Sequence, residues 1–184
     1  KIDDLNKVCF EDMRLDSFEK HTRAFVKIQD GCNNYCSYCI IPYTRGNVRS
    51  KNVEDVLEEI KTLVNNNHRE IVLTGIHTGH YGSDKNYNFA HLLREVVKIE
   101  GLERLRVSSI EINEITDEVL DVIKTSDKIV DHIHIPIQSG CDKTLKEMNR
   151  KYDTEFFVEK INKIREIRPD ISITTDLIVG FPNE

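Results

Sequence analysis

The sequence predicts an α/β fold, a partial (β/α) barrel with a parallel sheet inside and helices outside. Short β-branched runs alternate with segments whose apolar residues repeat at helical period. The connections between runs are long enough to cross over a sheet, as parallel pairing requires. With 184 residues, the chain is too short for a closed eight-stranded barrel of about 250 residues. A doubly wound sheet would also give this alternation; at this length a partial barrel or an open fragment is the expectation.

The strand candidates, in chain order, are Ala24 to Ile28, Glu70 to Leu73, Arg104 to Val107, Ile129 to Ile135 and Ile171 to Val179. Such β-branched runs suit buried strands. Between the first two, Val53, Val56, Leu57, Ile60, Leu63 and Val64 fall on one helical face, with Asn52 placed to cap it. Phe89, Leu92, Leu93, Val96 and Val97 repeat the pattern, and Thr116 caps a helix that buries Val119, Leu120 and Ile123. The last connection holds two helical pieces. Leu145 and Met148 mark the first; Asp153 caps the second, which turns Phe157, Ile161 and Ile164 inward and stops before Pro169. Residues 1–22, with Asp3, Asp4, Glu11, Asp12 and Asp16, read as an acidic linker from a preceding domain. Residues 23–184 read as the core, incomplete at its C-terminal end.

Lys and Arg number 26 against 32 Asp and Glu, a formal charge of −6. That balance gives no general attraction to a phosphate backbone, so any nucleic-acid contact must be local. No run approaches the roughly 18 apolar residues of a membrane span. No membrane partner is expected, and the location is expected to be cytoplasmic.

Of the 5 cysteines, Cys9 and Cys141 stand alone, while Cys32, Cys36 and Cys39 lie in one loop directly after the first strand. Parallel α/β folds place their chemistry at this end of the strands. Three thiolates at CxxxCxxC spacing can wrap one soft metal centre, either an iron–sulfur cluster or zinc. A structural site normally fills all four positions, so three ligands leave one open for a small molecule. For zinc, His77 or His80 from the next strand end would supply the fourth ligand, giving a non-catalytic zinc-binding module.

The loop and its flank, Cys32-Asn33-Asn34-Tyr35-Cys36-Ser37-Tyr38-Cys39-Ile40-Ile41-Pro42-Tyr43-Thr44-Arg45-Gly46, resemble the methylthiotransferase branch of the radical S-adenosylmethionine (radical SAM) family. So do Ile135-Pro136-Ile137-Gln138-Ser139-Gly140 and Asp176-Leu177-Ile178-Val179-Gly180-Phe181-Pro182. Within that branch, Val72 to Gly79 is most similar to enzymes acting on threonylcarbamoyladenosine in tRNA. Sister enzymes acting on isopentenyladenosine in tRNA, or on a ribosomal protein, are the alternatives. The resemblance runs from about His21 to Glu184.

The resemblance implies a barrel of radical SAM type with a 4Fe-4S cluster on Cys32, Cys36 and Cys39. S-adenosylmethionine would complete the cluster's coordination and, on reduction, yield the radical that attacks the substrate. It further implies cofactor contacts from Thr74, Gly75, Ser109, Glu111, Gln138, Ser139 and Gly180. A reducing electron donor is implied, as is a second 4Fe-4S cluster in an N-terminal domain absent from this sequence. Tyr43, Arg45, Arg49 and Lys51 form a short basic stretch beside the loop; the first three are candidate contacts to the tRNA substrate. Arg150, Lys151 and Tyr152 match a family segment, but read equally well as a solvated helix end. Cys141 and Asn183 stand where the family pattern has serine and glycine.

Overall fold

A computed structural model describes residues 8–18 and 21–184; Asp3 and Asp4 of the expected linker lie outside them. The strands are β1 (Arg23–Asp30), β2 (Arg49–Ser50), β3 (Glu70–Gly75), β4 (Arg104–Val107), β5 (His132–His134) and β6 (Ser172–Thr174). The helices are α1 (Ile41–Arg45), α2 (Val53–Asn65), α3 (Phe89–Val96), α4 (Asp117–Thr125), α5 (Asp142–Glu147) and α6 (Thr154–Ile167).

Strands pair in the order β2-β1-β3-β4, with β5-β6 as a second pair. Parallel bridges from Leu105 to Ile129 and from Ser109 to His134 join the two. The result is one curled parallel sheet open at its edges, a half-barrel. Strand β2 departs from the expected pattern by pairing antiparallel with β1, Gln29 against Ser50 and Asp30 against Arg49.

The register sorts side chains onto two faces. Ala24, Ile71 and Leu105 align across β1, β3 and β4, as do Val26, Leu73 and Val107, and this face lies under the helices. Val56, Ile60 and Leu63 of α2, Leu92, Leu93 and Val96 of α3, and Val119 and Ile123 of α4 close over it. The expected capping residues stand at the helix starts. Thr116 accepts from Val119 N at 3.3 Å and Asp153 from Phe156 N at 2.8 Å. Asn52 has cap geometry, but its side chain donates to Asp55 rather than accepting a backbone N–H.

The last two strands are shorter than their apolar runs. Ile129 makes only a bridge before the chain bends at Asp131. Beyond Thr174, Leu177 bridges to Gln138, while Leu177 and Val179 are exposed. Residues 8–18 form neither helix nor strand and lie along α2. Arg14 reaches Asp55 at 2.7 Å and Glu58 at 2.6 Å, and Asp12 contacts Lys51.

The opposite face mixes apolar Phe25 and Val72 with charged residues. Arg23, Glu70 and Arg104 align in register, and Glu70 accepts from Arg104 Nε at 3.1 Å and Arg106 Nε at 3.0 Å. Burial alone would raise the Glu70 pKa, but these guanidinium groups outweigh it and hold the carboxyl below its ordinary value. Its stabilisation is therefore fully present above the ordinary glutamate pKa of about 4.3 and is lost as pH falls through the lower folded value. Glu70→Gln is expected to cost about 1–2 kcal/mol at neutral pH, discounted because Arg104 and Arg106 keep contact with solvent. Urea unfolding of both proteins at about pH 7 and about pH 3 checks this. The stability gap should shrink on acidification, and an equal gap at both pH values counts against the ion pairs.

Candidate active site

The C-terminal end of β1 is built to launch a loop. Gln29 is fully buried and donates through Nε2 to the carbonyls of Asp30 and Gly31, at 2.7 and 2.6 Å. Its Oε1 accepts from His77 N at 2.7 Å, tying β1 to the turn after β3. Gly31 has φ 75°, and a Cβ there would lie 2.0 Å from the Asn47 carbonyl oxygen. Only glycine fits this position. Asp30 accepts from Gly31 N at 2.8 Å and from Lys27 Nζ at 2.6 Å.

All five cysteines are free thiols. Cys32, Cys36 and Cys39 are half-buried on the loop, whereas Cys9 and Cys141 are exposed. Asn34 N donates to Cys32 Sγ at 3.4 Å, and His77 Nδ1 lies 3.4 Å from the same sulfur. Behind the imidazole, Glu114 is buried against His77 and stands 3.3 Å from His80 Nε2. Gly79 makes room for that carboxylate, since a Cβ would lie 2.0 Å from its Oε2. Burial opposes a charge on His77, but Cys32 and Glu114 outweigh it and lift the pKa to about 10. Burial, and then the His77 charge, lower that of His80.

The far side of the loop rests on the corner between α5 and α6. Ser37 N donates to the Met148 carbonyl at 3.1 Å and Ser37 Oγ to that of Glu147 at 2.8 Å. Asn149 Nδ2 donates to the carbonyl of Tyr35 at 2.8 Å and to that of Asn34 at 3.3 Å. The Arg150 side chain, 3% exposed, pairs with Glu111. It donates to Cys36 Sγ and Tyr38 Oη, both at 3.4 Å, and to Tyr152 Oη at 3.0 Å. Burial pushes the Cys36 thiol up while Arg150 opposes it. Burial likewise pushes Tyr38 up to about 12, so its hydroxyl stays neutral. Arg150 is thus no solvated helix end but a buried cation on this side of the loop.

The remaining sequence-predicted residues follow the strand ends. Thr74 and Gly75 close β3, with Gly75 so near Gln29 that a Cβ would meet its Oε1 at 3.0 Å. Ser109 bridges to His134, and Glu111 is held by Arg150. Gln138 takes φ 68°, and Ser139 Oγ accepts from Cys141 N at 3.2 Å. Gly180 is exposed with φ 73° and open space where a Cβ would stand. Asn183 takes φ 65°, the left-handed conformation that glycine would have supplied.

Of the basic stretch, Tyr43 is exposed and Arg45 half-exposed, 3.8 Å from Asp30. Arg49 is turned inward onto the carbonyls of Arg45 and Asn47, at 2.7 and 3.0 Å. Lys51 is 2% exposed and bound to Glu59 at 2.5 Å, so it cannot meet an external ligand. Gln29, Asn149 and the pairing of His77 with Glu114 went unpredicted. A glutamine directly before Asp30-Gly31, ending an apolar strand, is the signal that could have found the first.

The sequence profile of the radical SAM superfamily matches residues 26–184. The chain belongs to the radical SAM superfamily. Among solved structures, the radical SAM fold of TsrM from Kitasatospora setae superposes with a TM-score of 0.72 at 17% identity, covering 88% of this chain and 31% of that one. OxsB, a cobalamin-dependent radical enzyme, gives 0.67 at 14% identity, over 84% of this chain and 23% of that one. At such identities the likeness is of fold alone.

Two curated relatives are much nearer in sequence. Threonylcarbamoyladenosine tRNA methylthiotransferase MtaB of Bacillus subtilis is 52% identical over 95% of this chain and 39% of its own length. tRNA-2-methylthio-N(6)-dimethylallyladenosine synthase of Clostridium tetani is 48% identical over 89% of this chain and 36% of its own. This radical SAM chain therefore spans less than half the length of the curated relatives it matches.

The donor set fits an iron–sulfur cluster. Three free thiols share one loop, a backbone N–H and a guanidinium hydrogen-bond the sulfurs of Cys32 and Cys36, and such contacts favour thiolate and tune a cluster. The zinc module is not favoured. His77, the histidine nearest the loop, is held between Cys32 and the buried Glu114.

Proposed function

We propose that this chain is the catalytic core of a tRNA methylthiotransferase, acting by radical S-adenosylmethionine chemistry on threonylcarbamoyladenosine. The observation that carries the reading is the 52% identity to the MtaB enzyme, together with an intact cysteine loop braced on both sides. The 48% identity to the dimethylallyladenosine synthase supports the sister substrate as the second reading.

Cys32, Cys36 and Cys39 would hold the 4Fe-4S cluster. When bound, the cluster and S-adenosylmethionine supply the electron and the organic radical that begin the reaction. The chain positions and shields them. Gly180, beyond β6, leaves open space where a side chain would stand and allows close approach of the cofactor, while Gly75 at the end of β3 makes room for Gln29 and offers the cofactor its backbone. Ser109, Gln138 and Ser139 offer polar groups at the same rim, as does Thr74, and Glu111 is oriented by Arg150. Tyr43 and Arg45, with Arg49 shaping their loop, face the tRNA. We assign residues 1–22 as the linker to an N-terminal region holding the second cluster, and an external reductant as the electron donor.

The substrate test uses the complete enzyme and mass spectrometry of tRNA bearing either modification. Methylthio transfer to threonylcarbamoyladenosine alone supports the first reading, and transfer to isopentenyladenosine alone replaces it with the second. For the isolated 184-residue chain, loaded with cluster, supplied with S-adenosylmethionine and reduced, the expected products are methionine and deoxyadenosine, the radical taking its hydrogen atom from buffer or solvent, with no methylthio transfer. Remote binding contacts that place the substrate would be absent. Methylthio product from this chain alone would contradict the division of labour.

A further inference from the structure

We propose that Tyr35 and Tyr43 form a platform that stacks an unpaired RNA base beside the cysteine loop. The inference rests on the tRNA reading above and adds a subsite to it. It begins from a strained residue. Tyr35 sits at φ 50°, in the left-handed region that a bulky side chain rarely enters. Glycine or asparagine would take that backbone at lower cost. The conformation is enforced by Asn149, whose Nδ2 donates to the Tyr35 carbonyl at 2.8 Å.

Core packing does not explain the tyrosine, because its side chain is not interior: Tyr35 is 46% exposed and Tyr43 71% exposed. The two rings meet edge to face, with centroids 5.7 Å apart and planes at 79°. One ring thus braces the other while both keep open surface. Strain held at an exposed aromatic, one residue before Cys36, points to use of the ring by a ligand. Two cations stand on the same elements: Arg45 is half-exposed two residues after Tyr43 in α1, and Lys151 is exposed and donates at 2.6 Å to Oδ1 of Asn149, the residue that holds the Tyr35 carbonyl.

Exposed aromatic faces rimmed by Arg and Lys are what single-stranded RNA binds, with bases on the rings and phosphates on the cations. The occupant is accordingly an unstacked base of a single-stranded RNA loop. A duplex keeps its base faces covered, so it offers nothing for these rings to stack on.

The chain contains no tryptophan, so Tyr43→Trp gives a single fluorescent reporter on the platform. Oligoadenylate of about ten nucleotides is the probe. Saturable quenching is expected from oligoadenylate, with far less from an abasic oligomer or an RNA duplex. In the same background, Tyr35→Leu keeps bulk but not the ring, and should weaken oligoadenylate binding about tenfold. Iron content of the reconstituted variants controls for damage to the loop. If Tyr35→Leu loses its cluster, Tyr43→Leu, measured by anisotropy of labelled oligoadenylate, takes its place. Equal quenching by the abasic oligomer overturns the proposal, and so does unchanged affinity on loss of the ring. Absence of quenching by any RNA overturns it too, leaving the surface for another partner. RNA binding that survives loss of both rings would remove the platform while leaving the tRNA reading intact, which methylthio transfer by the complete enzyme tests separately.

Discussion

Cys36→Ala is expected to abolish cluster loading, with at least a tenfold loss of bound iron after anaerobic reconstitution. Two thiolates cannot enclose what three hold. Cys36 also takes the Arg150 hydrogen bond at 3.4 Å, so its sulfur is the one fixed from the α5–α6 corner. Cys9→Ala and Cys141→Ala should load like the parent chain, because both thiols are exposed and off the loop. Iron and sulfide assays on the three variants make the comparison. Equal loss in Cys36→Ala and Cys9→Ala would mean that the N-terminal segment supplies a ligand.

Arg150→Met should be the most damaging change outside the cysteines. It strips the partner from Glu111, whose side chain is 17% exposed, and leaving one member of a buried pair alone costs about 3–5 kcal/mol. It also frees Cys36 and Tyr38 from their shared donor. Urea unfolding should register the loss, and Arg150→Lys should recover only part of it, since an ammonium cannot span Glu111, Tyr152 and the sulfur together. The reduction potential of whatever cluster Arg150→Lys retains separates bracing from tuning. A weaker cationic hydrogen bond at the sulfur disfavours the reduced state; a tenfold shift in that equilibrium is about 59 mV toward the negative. An unchanged potential would leave Arg150 as a brace alone.

The helices and the central strands were legible because each is written locally. Thr116 and Asp153 cap where their spacing to the apolar face says they should, and Ala24, Val26 and Ile28 alternate in burial along β1. The cysteine loop was legible for the same reason, its spacing being short and its position set by the strand before it. What escaped depends on residues distant in sequence. Strand β2 is two residues long and exists only because β1 pairs with it. Arg150 reads as a solvated charge until Glu111 and Tyr38 arrive from other elements and, with neighbouring Tyr152, bury it. Lys51, expected beside Arg49 in a basic patch, turns inward because Glu59 of α2 and Asp12 of the N-terminal segment converge on it. The exposed flank of Leu177 and Val179 could not be foreseen either, since a strand's apolar run does not say whether a neighbour covers it.

The central claim is that Cys32, Cys36 and Cys39 hold a cluster with one position left for S-adenosylmethionine. The most direct test is electron paramagnetic resonance of the anaerobically reconstituted and reduced chain, with and without S-adenosylmethionine, alongside iron and sulfide analysis. The account predicts about four iron and four sulfide per chain, and a signal that changes when S-adenosylmethionine is added. Zinc in place of iron, or a cluster signal indifferent to S-adenosylmethionine, would contradict it.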